Sequence, residues 1–248
     1  MHSELGIECH TFTIIGHCAR TGITGIALAS SPLAVAARCV FIRANAGAVS
    51  TQAYAHPGLG PLAVRLLEMD YAPAKVLEEL RGTDPYFEHR QIGILDRHGN
   101  PGVFTGAKNL DWKGHIAKKH LVAMGNYLVG EGVVTAMAQA FEASEDEVLE
   151  ERLMRALEAG KAAGGEKGGQ LSSGLTAYGR DTYARTDLRV DMYDRPTGPG
   201  DDAVSELRRI FDVYRPLIPY YEERPTNPLI AGWRDWLKQH GHRIGGGR

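Results

Sequence analysis

One stretch, residues 11–31 (TFTIIGHCARTGITGIALASS), constrains the fold of this 248-residue chain more than any other. Two runs rich in threonine, isoleucine and alanine flank the polar break Ala19–Gly22, a pattern that predicts a β-hairpin. Alternation along the first strand places Thr11 and Thr13 on one face and Phe12 on the other. The returning strand is built largely from small residues, so one of its faces could admit another backbone or a ligand. We therefore expect this hairpin to lie at the centre of the fold.

Composition and charge narrow the class of protein. The chain has 43% hydrophobic and 23% charged residues, as an ordinary globular protein does. A formal net charge of −2 and a pI near 6.6 give no electrostatic reason to expect nucleic acid or a membrane as a partner. No apolar run approaches the roughly 18 residues of a membrane span. The chain has three cysteines, an odd number, which suits a reducing compartment. We therefore expect a soluble cytoplasmic protein.

Hydrophobic periodicity and turn residues predict the remaining elements. We expect helices over 59–69, 73–81, 131–141, 145–159 and 203–217, and strands over 90–96, 102–105, 121–124, 171–178 and 187–192. Residues 36–54 are predicted to form one bent strand or two short ones, and Trp112–His115 a loop. Gly164–Gly169 lacks the GK[ST] ending and following helix of a phosphate loop, so it predicts a flexible turn. This order favours antiparallel sheets with helices on their outer faces.

Eight segments carry a resemblance to a known family. They are TFTIIG, TGITGIALASS, RANAGAVSTQAYAHPGLGP, RQIGILD, TGAKNLDWKGH, GNYLVGEGVVTAMAQAFE, LMRALEAGKAAGGEKGGQLSS and DLRVD. In order and spacing they resemble domain-of-unknown-function family 1028, over about Thr11 to Tyr214. That family is placed among N-terminal nucleophile (Ntn) hydrolase-like folds. The resemblance implies an α+β fold, a four-layer αββα sandwich of two antiparallel sheets between helix layers. We expect a leader over 1–10, this domain over 11–218 and a tail over 219–248, with a short helix near Trp233–Lys238 and a disordered Gly-rich end.

The resemblance makes Thr11 the candidate nucleophile. In this superfamily the base is the α-amine of the nucleophile itself, once it is the first residue. Ten residues precede Thr11, so the chemistry requires their removal, by attack of the Thr11 hydroxyl on the His10 carbonyl or by another protease. The implied activity is hydrolysis of an amide bond in a small polar, linear or cyclic, carboxylate-bearing substrate. The alternatives are that Thr11 merely opens a strand and that the protein is a non-catalytic ligand-binding or assembly protein.

Other polar residues are candidates for the same cleft. Asn126 follows a glycine at a strand end, where its amide could donate to an oxyanion, although a turn role is the simpler alternative. Asp187 and Arg189 share a strand face and could orient the site, or could form an ion pair at a sheet edge. Arg43 could bind a carboxylate, or be paired structurally. Five further candidates for substrate binding match polar positions of the family pattern, each with a buried hydrogen-bonding role as the alternative: Gln52, Arg90, Gln91, His115 and Gln170.

Neither a metal nor an organic cofactor is expected. Cys9, His10, His17 and Cys18 lie close in sequence, but His17 and Cys18 point to opposite strand faces and lack zinc-site spacing. Four positions depart from the family pattern, so the resemblance does not determine the identity of the substrate. They are His56, Asn109, Met124 and Met192.

The tail predicts self-association. It carries four aromatic residues of the kind enriched in interfaces: Tyr220, Tyr221, Trp233 and Trp236. We expect a homodimer or a higher homo-oligomer, the alternative being that these side chains pack onto their own domain.

Overall fold

The computed structural model of the chain describes residues 10–194 and 196–242 and contains two antiparallel sheets. The strands are β1 (Thr11–His17), β2 (Thr24–Ser30), β3 (Val40–Arg43), β4 (Gly47–Ala53), β5 (Arg90–Asp96), β6 (Pro101–Thr105), β7 (Gly114–Lys118), β8 (Leu121–Asn126), β9 (Ser172–Tyr178) and β10 (Thr186–Val190). The helices are α1 (Val35–Cys39), α2 (Leu59–Glu68), α3 (Pro73–Thr83), α4 (Gly132–Ala143), α5 (Leu149–Ala162), α6 (Ala203–Tyr214), α7 (Ile218–Glu223) and α8 (Trp233–Gln239).

The hairpin β1–β2 lies at the centre of the larger sheet, as predicted. That sheet has the order β10-β9-β2-β1-β8-β7, and the smaller one the order β3-β4-β5-β6. In the antiparallel register Thr11 lies opposite Ser30 on one side and opposite Asn126 on the other. The first residue of the central strand is thus flanked by polar side chains on the same sheet face.

Alternation along the strands separates the layers. Ile15 and Leu28 face the second sheet and pack with Leu95 between the two sheets. On the opposite face, Phe12 and Ile14 belong to the core formed with α4 and α5. The second sheet is covered on its outer face by α2 and α3. The expected αββα sandwich of two antiparallel sheets between helix layers is therefore confirmed.

Several local predictions were wrong. Residues 35–39 form the short helix α1 instead of strand, because a single turn carries no readable helical period. The predicted loop Trp112–His115 runs into β7, an edge strand with little alternation. Helix α5 begins at Leu149, after a turn in which the N–H of Glu147 donates to the carbonyl of Ser144. The chain also continues past α6 into α7.

The tail packs partly onto its own chain. Tyr220 and Trp236 are buried with Leu217 and Leu237 in a small separate cluster, so two of the four aromatic side chains are unavailable to a partner. Tyr221 remains 40% exposed. The predicted Gly-rich disordered end (243–248) and the leader residues 1–9 lie outside the described residues. Among the described helices, none combines the length and the apolar character needed to cross a membrane.

Candidate active site

The hydroxyl of Thr11 lies against the peptide bond that joins it to His10. Thr11 is buried, with 3% of its surface exposed, and its Oγ1–H donates to the carbonyl oxygen of His10 at 2.5 Å. The hydroxyl of Ser30 lies 3.1 Å from that of Thr11 and also donates to the His10 carbonyl oxygen. Two hydroxyl groups therefore converge on one buried carbonyl.

Gln52 and Gln91 connect Thr11 to the second sheet. The Nε2 group of Gln52 donates to the carbonyl oxygen of Thr11 at 3.2 Å and to Oε1 of Gln91 at 2.9 Å. Its Oε1 accepts the hydroxyl of Thr13 at 2.6 Å. Both glutamines are fully buried, and such networks hold a buried backbone rigid when every member is satisfied.

The network continues to the edge of the sandwich. Nε2 of Gln91 donates to the hydroxyl of Thr105 at 2.9 Å, and that hydroxyl lies 2.9 Å from Nδ1 of the exposed His115. The structure thus brings Gln52, Gln91 and His115 into one chain of hydrogen bonds that ends at Thr11.

Asn126 also lies beside Thr11, and one of the two N–H groups of its amide is engaged. Nδ2 donates to Oε1 of Gln91 at 3.2 Å, whereas Oδ1 is buried and has no hydrogen-bond partner among the residues described. Oδ1 is therefore an acceptor left available next to Thr11, and the second N–H of the Asn126 amide remains the candidate oxyanion donor.

Arg90 and Gln170 contact residues other than Thr11. Arg90 forms a 2.7 Å ion pair with the buried carboxylate of Asp84 and donates to the carbonyl of Tyr54. Gln170 lies against Gly165, where an added Cβ would meet its Nε2 at 2.8 Å. Neither side chain has a hydrogen bond to Thr11 among the contacts of the described residues.

Arg43, Asp187 and Arg189 lie around one cavity, away from Thr11. They line a surface cavity of about 580 Å³ between the edges of the two sheets. Asp187 lies on the edge strand β10, separated from β1 by β9 and β2, and its register leads across the sheet to Ile15, four residues beyond Thr11. We expected Asp187 and Arg189 to orient the nucleophile, and the strand order does not place them there.

These three side chains are already paired. Arg189 forms a 2.9 Å ion pair with Asp187, and Arg43 a 3.1 Å ion pair with Glu68. Asp187 and Arg189 thus match the alternative of an ion pair at a sheet edge.

Ser30, Ser31, Tyr127 and Glu166 are polar residues near Thr11 that the sequence did not single out. The signal for Ser30 lay in the hairpin register, since a two-strand alignment places it opposite Thr11. Tyr127 and Glu166 come from segments that pair only in three dimensions, through the bridge between Leu128 and Glu166. Across residues 10–194 and 196–242, no group of three or more His, Cys, Asp or Glu side chains is placed to hold a metal ion.

Comparison with known proteins places the chain in a family. Residues 11–199 match the model of DUF1028, described as a family of unknown function. The chain belongs to this family. A search of curated proteins found no match.

Solved structures include a relative of the same fold. A crystal structure of a Silicibacter pomeroyi protein of the DUF1028 family is 28% identical, with a TM-score of 0.73, covering 93% of this chain and 94% of that one. Anbu (ancestral beta-subunit) from Yersinia bercovieri aligns at 12% identity with a TM-score of 0.38, covering 89% of this chain and 98% of its own.

Proposed function

We propose that the protein is a self-processing amidohydrolase of the N-terminal nucleophile type, with Thr11 as nucleophile. The observation that carries the proposal is the buried Thr11 hydroxyl, 2.5 Å from the carbonyl oxygen of His10, with the Ser30 hydroxyl donating to the same oxygen. A nucleophile and a donor to the developing oxyanion are the two groups that acyl transfer requires.

Removal of the leader is the first reaction. Oγ1 of Thr11 attacks the carbonyl carbon of His10, and the negative charge that develops on the carbonyl oxygen is stabilised by the Ser30 hydroxyl. The C–N bond breaks, the hydroxyl proton ends on the Thr11 nitrogen, and His10 is held as an ester on Oγ1. Water hydrolyses this ester, which releases the leader with a carboxylate and leaves Thr11 with a free α-amine.

Turnover of a substrate repeats the attack with a different base. The α-amine of Thr11 accepts the proton of its own hydroxyl as Oγ1 attacks the substrate amide, and then passes it to the leaving amine. Water cleaves the resulting ester. Oδ1 of Asn126, buried and unpartnered among the described residues, is placed to accept a hydrogen bond from the new amine because Asn126 lies directly opposite Thr11.

The surroundings favour a small, polar amide as substrate, linear or cyclic. Thr11 is buried between two sheets, where donors act at low dielectric. Gln52 fixes the backbone of Thr11 through its carbonyl oxygen, which keeps the nucleophile positioned. Recognition of a carboxylate by Arg43 has no geometric support at Thr11, because Arg43 lies at the far end of β3 and pairs with Glu68.

Intact mass tests the proposal. The wild-type protein is expected to lose residues 1–10, Thr11→Ala to keep them, and Thr11→Ser to lose them. Retention of the leader in all three, with no hydrolysis of a panel of small amides and lactams, would contradict the proposal and favour a non-catalytic ligand-binding or assembly protein.

We propose further that the protein acts in the cytoplasm as a homodimer. The odd number of cysteines suits a reducing compartment. Tyr221, Leu229 and Trp233 leave apolar surface exposed on the tail, and exposed aromatic surface is typical of interfaces. Light scattering of the purified protein at micromolar concentration would show a dimer, and a monomer would contradict this proposal.

A further inference from the structure

The side chain of His10 occupies a built pocket next to the nucleophile. His10 is 2% exposed. Its ring stacks on Tyr127, with centroids 4.0 Å apart and planes inclined by 25°. Its Nδ1 lies 3.1 Å from the hydroxyl of Ser31. The pocket therefore offers one flat face and one hydrogen-bonding group.

The loop 164–170 forms another wall of this pocket. At Gly168 an added Cβ would lie 2.6 Å from Nδ1 of His10, so only glycine allows the loop to approach the ring. Backbone hydrogen bonds hold the loop to the end of β8: the N–H of Lys167 donates to Tyr127 at 3.2 Å, and the N–H of Val129 donates to Gly165 at 3.2 Å. The flexible turn predicted from the glycines is thus held to a strand end by backbone hydrogen bonds.

The backbone of Tyr127 has a conformation that does not favour a tyrosine. Its φ of 55° lies in the left-handed region, which costs a residue with a Cβ about 1 kcal/mol and is usually given to glycine. The aromatic ring is present there all the same, stacked on His10. Strain of this kind at a polar cleft points to a side chain needed for binding.

A buried acid lies beside the backbone of Ser31. Glu166 is 3% exposed, and neither of its carboxyl oxygens has a hydrogen-bond partner of full geometry among the described residues. Burial raises the pKa of Glu166 well above its usual value, and a backbone contact from Ser31 opposes the shift only partly. Glu166 thus lies beside the residue whose hydroxyl faces the His10 ring nitrogen.

The same nucleophile acts on the leader and on the substrate. Oγ1 of Thr11 must approach the two carbonyl carbons from the same position, so the acyl group of a substrate has to enter the space that His10 fills before processing. We infer that the His10 pocket selects amides whose acyl side carries a flat, hydrogen-bonding ring of the imidazole class. This inference rests on the proposed function.

The test compares three substrates that differ only in the acyl side chain. They are the 4-nitroanilides of N-acetylhistidine, N-acetylphenylalanine and N-acetylleucine, assayed with the protein after it has lost its leader. We expect kcat/KM for the histidine compound to exceed that for the leucine compound about 10-fold or more, with the phenylalanine compound between them. The histidine ring can both stack on Tyr127 and hydrogen-bond to Ser31, whereas the phenylalanine ring can only stack.

Two variants separate the contributions of the pocket. Tyr127→Leu removes the stacking ring and is expected to lower the histidine-to-leucine ratio to the part that the Ser31 hydrogen bond provides. Ser31→Ala removes the hydroxyl and is expected to lower the histidine-to-phenylalanine ratio, which keeps the test available if Tyr127→Leu fails to fold. Tyr178→Leu, a half-buried tyrosine at the end of β9, is the matched control and should leave both ratios unchanged.

The outcomes distinguish the pocket from the activity. Equal kcat/KM for the three compounds, hydrolysis confined to amides without a ring, or ratios unchanged in both pocket variants would overturn the inference and leave the amidohydrolase intact. A leader that is never released, with no amide hydrolysed, would overturn the proposed function and the inference that rests on it.

Discussion

The hydroxyl oxygens of Thr11 and Ser30 lie 3.1 Å apart, and both groups donate to the carbonyl oxygen of His10. The pairing follows from the hairpin register, in which the first residue of β1 lies opposite the last residue of β2. In the proposed self-processing reaction, the Thr11 hydroxyl attacks and the Ser30 hydroxyl stabilises the charge that the attack creates. This division of roles can be tested by removing Ser30 alone.

Ser30→Ala is expected to slow release of the leader about 100-fold, the usual cost of losing one oxyanion donor. The rate is measured by intact mass over time after synthesis. Ser173→Ala is the matched control, because Ser173 is a buried strand serine whose hydroxyl bonds to the carbonyl of Ala203 at 2.7 Å, away from Thr11. If Ser30→Ala releases the leader at the wild-type rate, a group other than Ser30 stabilises the oxyanion.

Gln52→Leu is expected to destabilise the folded protein by about 3 kcal/mol, since it leaves the buried Thr13 hydroxyl without a partner and removes a hydrogen bond to the Thr11 carbonyl. Urea unfolding measures the change. Gln139→Leu, on the exposed face of α4, should change the free energy of unfolding by less than about 0.5 kcal/mol. Similar values for the two variants would show that the network of Gln52 does not stabilise the fold.

Local sequence patterns predicted the hairpin, most helices and part of the site. Period-two alternation placed Thr11 and Thr13 on one face. Family resemblance pointed to Gln52 and Gln91, and the glycine at a strand end pointed to Asn126. The structure brings these three side chains next to Thr11 or into its hydrogen-bond network.

The rest depended on contacts between distant segments. The pairing of Leu128 with Glu166 joins two loops that no sequence period connects. Whether β10 lies at the centre or at the edge of the sheet depends on strand order, which alternation does not specify. For that reason Asp187 and Arg189 were predicted near Thr11 and lie three strands away.

Arg189→Ala is expected to leave leader release unchanged. Its ion pair with Asp187 is exposed, with 42% and 38% of the two side chains accessible, so the loss should cost less than about 1 kcal/mol of stability. Leader mass and urea unfolding measure the two effects. A release rate lowered as strongly as in Ser30→Ala would show that β10 contributes to the chemistry at Thr11.

His17, at the opposite end of β1 from Thr11, should make stability depend on pH. Burial, followed by the nearby His120 ring, lowers the pKa of His17 from 6.5 to about 4, and its Nδ1 lies 2.9 Å from the Thr24 hydroxyl. In the unfolded chain His17 is therefore protonated below pH 6.5, whereas in the folded protein it stays neutral down to about pH 4.

The stability contributed by neutral His17 is thus fully present above the unfolded pKa and is lost as the pH falls from 6.5 to about 4. His17→Asn keeps a polar partner for Thr24 and cannot titrate, so between these two pH values its free energy of unfolding should fall by about 2 kcal/mol less than that of the wild type. Urea unfolding at half-unit pH steps measures the difference. His242→Asn, which alters an exposed histidine of the tail, is the control and should follow the wild-type curve. A His17→Asn curve parallel to both would show that His17 titrates alike in the folded and unfolded chain.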